Sequence, residues 1–108
     1  MELIKISDEI KKKIKDLEHG RSLLDKKAED KAKAISEYDK ALAVNMLEIR
    51  AKNHPASMCE KLAKGKIFEL AYAKDVTDSG YKSVTSKINS LKAELNGWQS
   101  IFSKLDEH

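Results

Sequence analysis

Residues 81–105 read YKSVTSKINSLKAELNGWQSIFSKL, and an apolar side chain occupies every step of an alternating three- and four-residue spacing. The positions are Tyr81, Val84, Ile88, Leu91, Leu95, Trp98, Phe102 and Leu105. This is the heptad pattern that keeps one face of a helix against a partner helix along its whole length. The stretch therefore predicts a long α-helix that packs side by side with another one.

The first half of the chain carries a weaker version of the same pattern. Its positions are Ile10, Ile14, Leu17, Arg21, Leu24, Ala28, Lys31, Ile35, Tyr38, Leu42, Asn45 and Ile49. Ser7 is a favourable N-cap, and the carboxylates of Asp8 and Glu9 would follow it in the first helical turn. Proline disfavours a helical conformation in the residue before it, so Pro55 predicts a helix end near Asn53. The first helix is expected over about residues 7–53.

A second helix is predicted over about residues 55–105, because proline fits the first turn of a helix. Within it, residues 77–80 read TDSG, and Asp78 or Ser79 could cap a new helix. The pattern leaves open whether the second helix is continuous or split at residues 77–80.

Two helices of nearly equal length predict an all-α fold, a single helical domain over residues 1–108 folded as a long antiparallel, coiled-coil-like hairpin. Folding the chain at Pro55 places Ile10 and Ile14 beside Trp98 and Phe102, and the polar residues 26–33 opposite residues 78–80. Two helices alone enclose little core, so we expect the hairpin to dimerise into a four-helix bundle. A three-helix bundle with a true break at residues 77–80 is the alternative.

Composition supports long helices and narrows the function classes. Charged residues make up 36% of the chain and aromatic residues 6%, with one Pro and four Gly. The net charge of +3 includes only two Arg, and phosphate recognition favours the planar guanidinium. The single Cys59 fits a reducing compartment. No apolar run has the length of a signal peptide or a membrane span, so a soluble cytoplasmic protein without membrane association is expected.

The residues that most often carry chemistry are scattered. His19, His54 and His108 do not stand at metal-ligand spacing with one another or with Cys59. Cys59 lies near His54, but a small, partly buried apolar residue is the simpler interpretation of this thiol. We therefore expect no cofactor, no metal and no enzymatic activity.

One dense basic stretch stands out, made of Lys11, Lys12, Lys13 and Lys15. Such a stretch could follow a nucleic-acid backbone or contact another anionic partner. No aromatic residue is interleaved with these lysines to stack on bases, and acidic residues flank them. A solvated helix face is therefore favoured. Trp98 lies within the heptad pattern, which favours core packing over a binding role.

Several segments resemble a group of small helical proteins encoded by phages and prophages of Gram-positive bacteria. They are residues 38–43 (YDKALA), 55–56 (PA), 63–65 (AKG), 81–82 (YK) and, above all, 92–101 (KAELNGWQSI). The resemblance spans about residues 35–106 and implies an early phage gene, near single-strand-binding and recombination functions. It implies no catalytic or binding residues. Residues 78–80 depart from it, because the similar proteins read there as uninterrupted helix.

Two functional hypotheses follow. The first is a non-enzymatic protein that acts in the host cytoplasm by binding a host or phage protein, as an accessory factor in phage DNA metabolism or an inhibitor of a host defence. The alternative is a nucleic-acid-binding accessory protein that uses the Lys11–Lys15 stretch.

Overall fold

The structure, a computed structural model, describes residues 2–107 and contains α-helices without any β-strand in that range. The three helices are α1 (Leu3–Ala51), α2 (Ala56–Lys66) and α3 (Phe68–Asp106). The all-α class and the antiparallel arrangement of two long helices are confirmed. The clearest departures from the predicted helix boundaries are the start of α1 and an interruption at Ile67.

The first helix begins at Leu3, so the prediction that Ser7 caps it was wrong. Ile6 is completely buried, and its N–H donates a hydrogen bond to the carbonyl of Glu2 at 3.2 Å. Burial of a large apolar side chain stabilises by about 1.5–3 kcal/mol. Burial of Ile6 therefore stabilises a helical conformation in the residues before Ser7. This contribution outweighs the preference of Ser7 for the N-cap position.

The turn between α1 and α2 is built around Asn53. Its φ of 67° lies in the left-handed region, which Asn tolerates better than most residues. The N–H of Asn53 donates to the carbonyl of Arg50, and the Arg50 guanidinium donates to the carbonyl of His54 at 2.8 Å. Pro55 then precedes the first turn of α2. The chain thus leaves the helix close to the predicted position.

In the second half, the helical run is interrupted at Ile67 and not at residues 77–80. Ile67 has φ −112° and ψ 27° and is buried, and its N–H still donates to the carbonyl of Ala63. Residues 77–80 lie inside α3, where the Thr77 hydroxyl donates to the carbonyls of Ala73 and Lys74, both at 3.0 Å. The hydroxyl thereby bonds back to the preceding helical turn instead of capping a new helix.

The chain divides into two compact units, which are described separately. The terminal unit comprises the chain up to Lys26 and from Lys82 onwards, and the central unit is Lys27–Tyr81. The core of the terminal unit contains Leu17, Val84 and Ile88. Leu24, Leu91 and Leu95 pack against this cluster.

The core of the central unit lies where α2 packs on the end of α1. It contains Ile49, Cys59 and Ala63, and Leu42 and Met46 pack against them. Ala34, Tyr38 and Ile67 are the other buried apolar residues of this unit. Small side chains make up much of this core, which allows α2 to lie close to α1.

Within the central unit, an ion pair and two cation–π contacts join α1 to α3 in the order expected for antiparallel helices. The Lys31 ammonium lies 3.0 Å from the Asp78 carboxylate and 4.9 Å from the centre of the Tyr81 ring. Further along α1, the Lys74 ammonium lies 4.1 Å from the centre of the Tyr38 ring. The polar residues of α1 near Lys31 therefore do face residues 78–80, as the lengths of the two helices predict.

The face that α1 buries departs from the predicted one at three positions in its first half. Ile14, Arg21 and Ala28 are exposed, and the preceding residues Lys13, Gly20 and Lys27 are half-buried instead. The other predicted positions are buried or half-buried: Ile10, Leu17, Leu24, Lys31, Ile35, Tyr38, Leu42, Asn45 and Ile49. Two lysine stems and a glycine thus occupy the three displaced positions. Lysine can bury its methylene groups while its ammonium reaches solvent, which makes this arrangement stable.

At Gly20, α1 lies close to α3. A Cβ placed there would lie 3.1 Å from Cγ1 of the buried Ile88, whereas a Cβ at Gly65 would have no neighbour within 4 Å. We expect Gly20→Leu to lower the free energy of unfolding by about 1–3 kcal/mol through overpacking. Gly65→Leu, the matched control, should be neutral or stabilising by up to about 1 kcal/mol, because leucine is the better helix former.

Urea titrations followed by circular dichroism, at one protein concentration, measure both changes. A Gly20→Leu variant as stable as the wild type would contradict the close contact with Ile88.

Candidate interaction surfaces

The predicted apolar face of α3 contributes to the core. Val84 and Ile88 are buried, and Tyr81, Leu91, Leu95, Trp98 and Phe102 are half-buried. Leu105 is 39% exposed. Trp98 lies on the same face as the core leucines and not on the outer surface. These residues position the helix, so a binding surface has to be sought on other faces.

The predicted basic stretch is split by the structure. Lys11, Lys12 and Lys15 are exposed. The Lys13 side chain is only 19% exposed, and its ammonium lies 2.6 Å from the Glu94 carboxylate of α3. That hydrogen bond is the main cause that raises the pKa of Lys13, against the opposing effect of burial. Three lysines remain on the surface, and the fourth links the two helices.

A first apolar and basic surface lies on α2 and is called the α2 face. Met58 and Leu62 lie one turn apart and are 49% and 36% exposed. Phe68 follows at the start of α3 and is 65% exposed. Cys59 and Ala63 are the buried residues of α2, so Met58 and Leu62 belong to its outward side. Three large apolar side chains in this short stretch suggest a binding surface.

Lysines surround the apolar residues of the α2 face. Lys64 is paired with Glu60 at 2.9 Å, and this hydrogen bond raises the pKa of Lys64 and lowers that of Glu60. Lys61 and Lys66 are exposed as well. Glu60 is the only acidic residue of α2, so the α2 face has an excess of positive charge.

Nine exposed residues on the outward side of α3 are uncharged, and the exposed charged residues Asp75 and Lys82 lie beside them. The nine uncharged residues are Tyr72, Val76, Ser79, Ser83, Ser86, Ser90, Ala93, Gly97 and Ser100. Tyr72 is 72% and Val76 is 49% exposed. The sequence interpretation overlooked this face, although its alternating four- and three-residue spacing runs parallel to that of the buried face and could have revealed it.

The groups that most often carry chemistry, His54 and Cys59 among them, take part in the turn between α1 and α2. Among residues 2–107, no three His, Cys, Asp or Glu side chains come together in a way that could hold a metal ion. The Cys59 thiol is buried and lies 3.4 Å from the carbonyl of Pro55, to which it can donate a hydrogen bond. His54 is exposed, and its carbonyl accepts from Arg50. Both residues thus contribute hydrogen bonds to the turn between α1 and α2.

Over the described residues, no helix combines the length and the apolar character that crossing a membrane requires. Comparisons with protein families, with curated proteins and with solved structures gave no match.

The pair between Lys13 and Glu94 offers a test of the helix register. Lys13→Glu places two carboxylates opposite each other and should lower the melting temperature, and so should Glu94→Lys, which opposes two ammonium groups. The double variant Lys13→Glu/Glu94→Lys should recover part of the loss. Lys12→Glu, on the exposed side, is the control and should change little.

Thermal unfolding at low salt measures these four variants. A double variant no more stable than either single variant would contradict the pairing of these two side chains.

Proposed function

We propose that this protein acts by binding another protein through the α2 face, without catalysing a reaction. The observation that carries the proposal is the exposure of Met58 and Leu62 on α2 and of Phe68 at the adjoining start of α3, together with the exposed Lys61 and Lys66. Exposed apolar groups bordered by polar residues are typical of protein interaction sites. The positive border favours a partner that presents acidic residues around an apolar patch.

The expected setting is the cytoplasm of a bacterial host, and the expected partner is a host or phage protein. The resemblance to phage-encoded helical proteins supports this setting, and so does the lone thiol of Cys59. An accessory role in phage DNA metabolism and inhibition of a host defence are the two activities that such binding would serve. We further propose that the protein works as a homodimer.

The α2 face is tested by replacing Met58, Leu62 and Phe68 together with serine. Loss of apolar anchors at the centre of an interface costs about 1–2 kcal/mol or more per residue. Capture of the partner from a lysate of the Gram-positive host should therefore fall at least about tenfold. Leu47→Ser is the matched control, because Leu47 is 72% exposed but lies on α1.

Quantitative mass spectrometry of the captured proteins gives the readout, and circular dichroism verifies that both variants are folded. Equal capture by the wild type and the triple variant would refute the α2 face as the binding surface.

Nucleic-acid binding is the second candidate, and the exposure of Lys11, Lys12 and Lys15 is the observation that favours it. Lys13 is engaged by Glu94, which weakens this candidate. We expect no gel shift with single- or double-stranded DNA at either of two salt concentrations. A shift at low salt that disappears in the Lys11→Gln/Lys12→Gln/Lys15→Gln variant would instead support the second candidate.

A further inference from the structure

Two aromatic side chains lie on the surface of the central unit, just after the junction of α2 and α3. Phe68 is 65% and Tyr72 is 72% exposed, whereas the other four aromatic residues of the chain are buried or half-buried. An aromatic side chain buries about 150–250 Å² when it is covered, so two of them in solvent leave a large stabilisation unused. Their exposure indicates a surface that another molecule covers.

These two residues belong to a line of exposed positions that crosses the junction and is called the junction face. Its members follow an alternating four- and three-residue spacing and are Lys61, Gly65, Phe68, Tyr72 and Asp75. Helical hydrogen bonds continue through the interruption, from the N–H of Ile67 to the carbonyl of Ala63 and from the N–H of Ala71 to the carbonyl of Ile67. The helical repeat is therefore kept, and the members of the junction face lie along one side of the chain.

Nothing inside the chain itself requires glycine at position 65. Gly65 does not have a positive φ, and a Cβ placed there would have no neighbour within 4 Å. Glycine in the interior of a helix is less favourable than alanine, and it is used where another group approaches the backbone closely. Gly65 thus forms a shallow recess in the junction face, beside the exposed ring of Phe68.

The two ends of the junction face carry opposite charges. Lys61 stands at one end and Asp75 at the other, each seven residues from Phe68. Next to Lys61, Glu60 and Lys64 are already paired with each other at 2.9 Å. The junction face is therefore basic at one end, apolar in the middle and acidic at the other end.

Asp75 also borders a groove of the central unit that Lys31 and Lys74 line. The Lys31 ammonium lies 3.0 Å from the Asp78 carboxylate, and the Lys74 ammonium lies 4.1 Å from the centre of the Tyr38 ring. Both ammonium groups have these other contacts, so the exposed Asp75 carboxylate can meet a cation from outside the chain.

We propose that the junction faces of two copies pack antiparallel about a twofold axis at Phe68. Residues equally far from the axis then face each other, so that Lys61 meets Asp75 of the second copy and Phe68 meets its own counterpart. The ring of Tyr72 lies over the recess at Gly65 of the second copy, which places a large side chain against a small one.

The charges select this occupant over the others. An acidic protein or a nucleic acid would bring negative charge towards Asp75, and a parallel second copy would set like charges against each other at both ends. An antiparallel second copy forms two ion pairs. The inference rests on the homodimer of the proposed function and specifies its contact. Leu62 and Lys66 of the α2 face lie off this spacing and remain open to the partner protein.

The contact is short, and this limits its strength. The distance from Lys61 to Asp75 is roughly 21 Å at 1.5 Å per residue. Such a contact is smaller than a standard protein interface, so the dimer is expected to dissociate on dilution.

Exchange of the two charges tests the pairing in the full chain. Lys61→Glu opposes carboxylates at both ends of the contact and Asp75→Lys opposes ammonium groups, so each variant alone should raise the dimer dissociation constant at least about tenfold. An equimolar mixture of the two variants should recover dimers, because each introduced charge then faces an opposite one. Lys33→Glu, exposed on α1, is the matched control and should leave the dissociation constant unchanged.

A second pair of variants tests the recess. Gly65→Leu fills it and should also raise the dissociation constant at least about tenfold. Gly97→Leu is the matched control, because a Cβ at Gly97 likewise has no neighbour within 4 Å, and it should leave dimerisation unchanged. Sedimentation equilibrium over a dilution series at low salt measures all variants, and circular dichroism verifies that each is helical.

Three results would overturn the inference. Equal dimerisation of the wild type, Lys61→Glu and Asp75→Lys would refute the junction contact and leave the homodimer intact. A mixture that does not recover the dimers lost by both single variants would refute the antiparallel pairing. A wild-type monomer at the highest soluble concentration would refute the contact and the homodimer together. Asp75 lies outside the α2 face, so the capture experiment tests that face independently.

Discussion

The close approach of α1 to α3 at Gly20 is the constraint on which the terminal unit depends. Because Gly20 has no side chain, Ile88 can fill the space beside the α1 backbone. On the buried side of α1, Lys13, Gly20 and Lys27 alternate with larger apolar residues. The helix α3 therefore supplies most of the large apolar groups at the contact. This arrangement brings the helices together but encloses a thin core, with only ten buried apolar residues among those described.

A thin core leaves apolar residues on the outside. The central unit alone exposes Val44, Leu47, Met58, Leu62, Phe68, Tyr72 and Val76. Small domains commonly gain stability through oligomerisation when their own core is limited. The α2 face has a positive border suited to an acidic partner.

The sequence predicts the buried face of a helix correctly where apolar residues fill every heptad position. It misleads where two neighbouring residues are both suited to the same buried position. Residues 81–105 predict their buried face because no other register satisfies the pattern. In α1, Lys13 and Ile14 are both compatible with a heptad, and only packing against α3 selects Lys13, whose ammonium reaches Glu94. The interruption at Ile67 comes two residues after Gly65, a glycine inside a helical pattern that can mark a kink, but the pattern alone did not place a break there.

The candidate surfaces show the same division. Exposure of Lys11, Lys12 and Lys15 could be predicted, because polar residues surround them. The α2 face could not, because Met58 and Leu62 are as apolar as core residues. Their exposure follows from the burial of Cys59 and Ala63 on the other side of α2.

The most direct test of the account is an engineered disulfide at the contact between Gly20 and Ile88. Gly20→Cys and Ile88→Cys, combined in a chain with Cys59→Ala, should form a disulfide within one chain, because a Cβ at residue 20 would lie 3.1 Å from Cγ1 of Ile88, the position that the sulfur of a cysteine there can take. Non-reducing electrophoresis and the loss of two hydrogen atoms by mass spectrometry detect it. Glu18→Cys with Ile88→Cys should not form it, since Glu18 is exposed and does not line the groove beside Ile88. An absent bond in the first pair, or equal yield in the second, would contradict the antiparallel contact at Gly20.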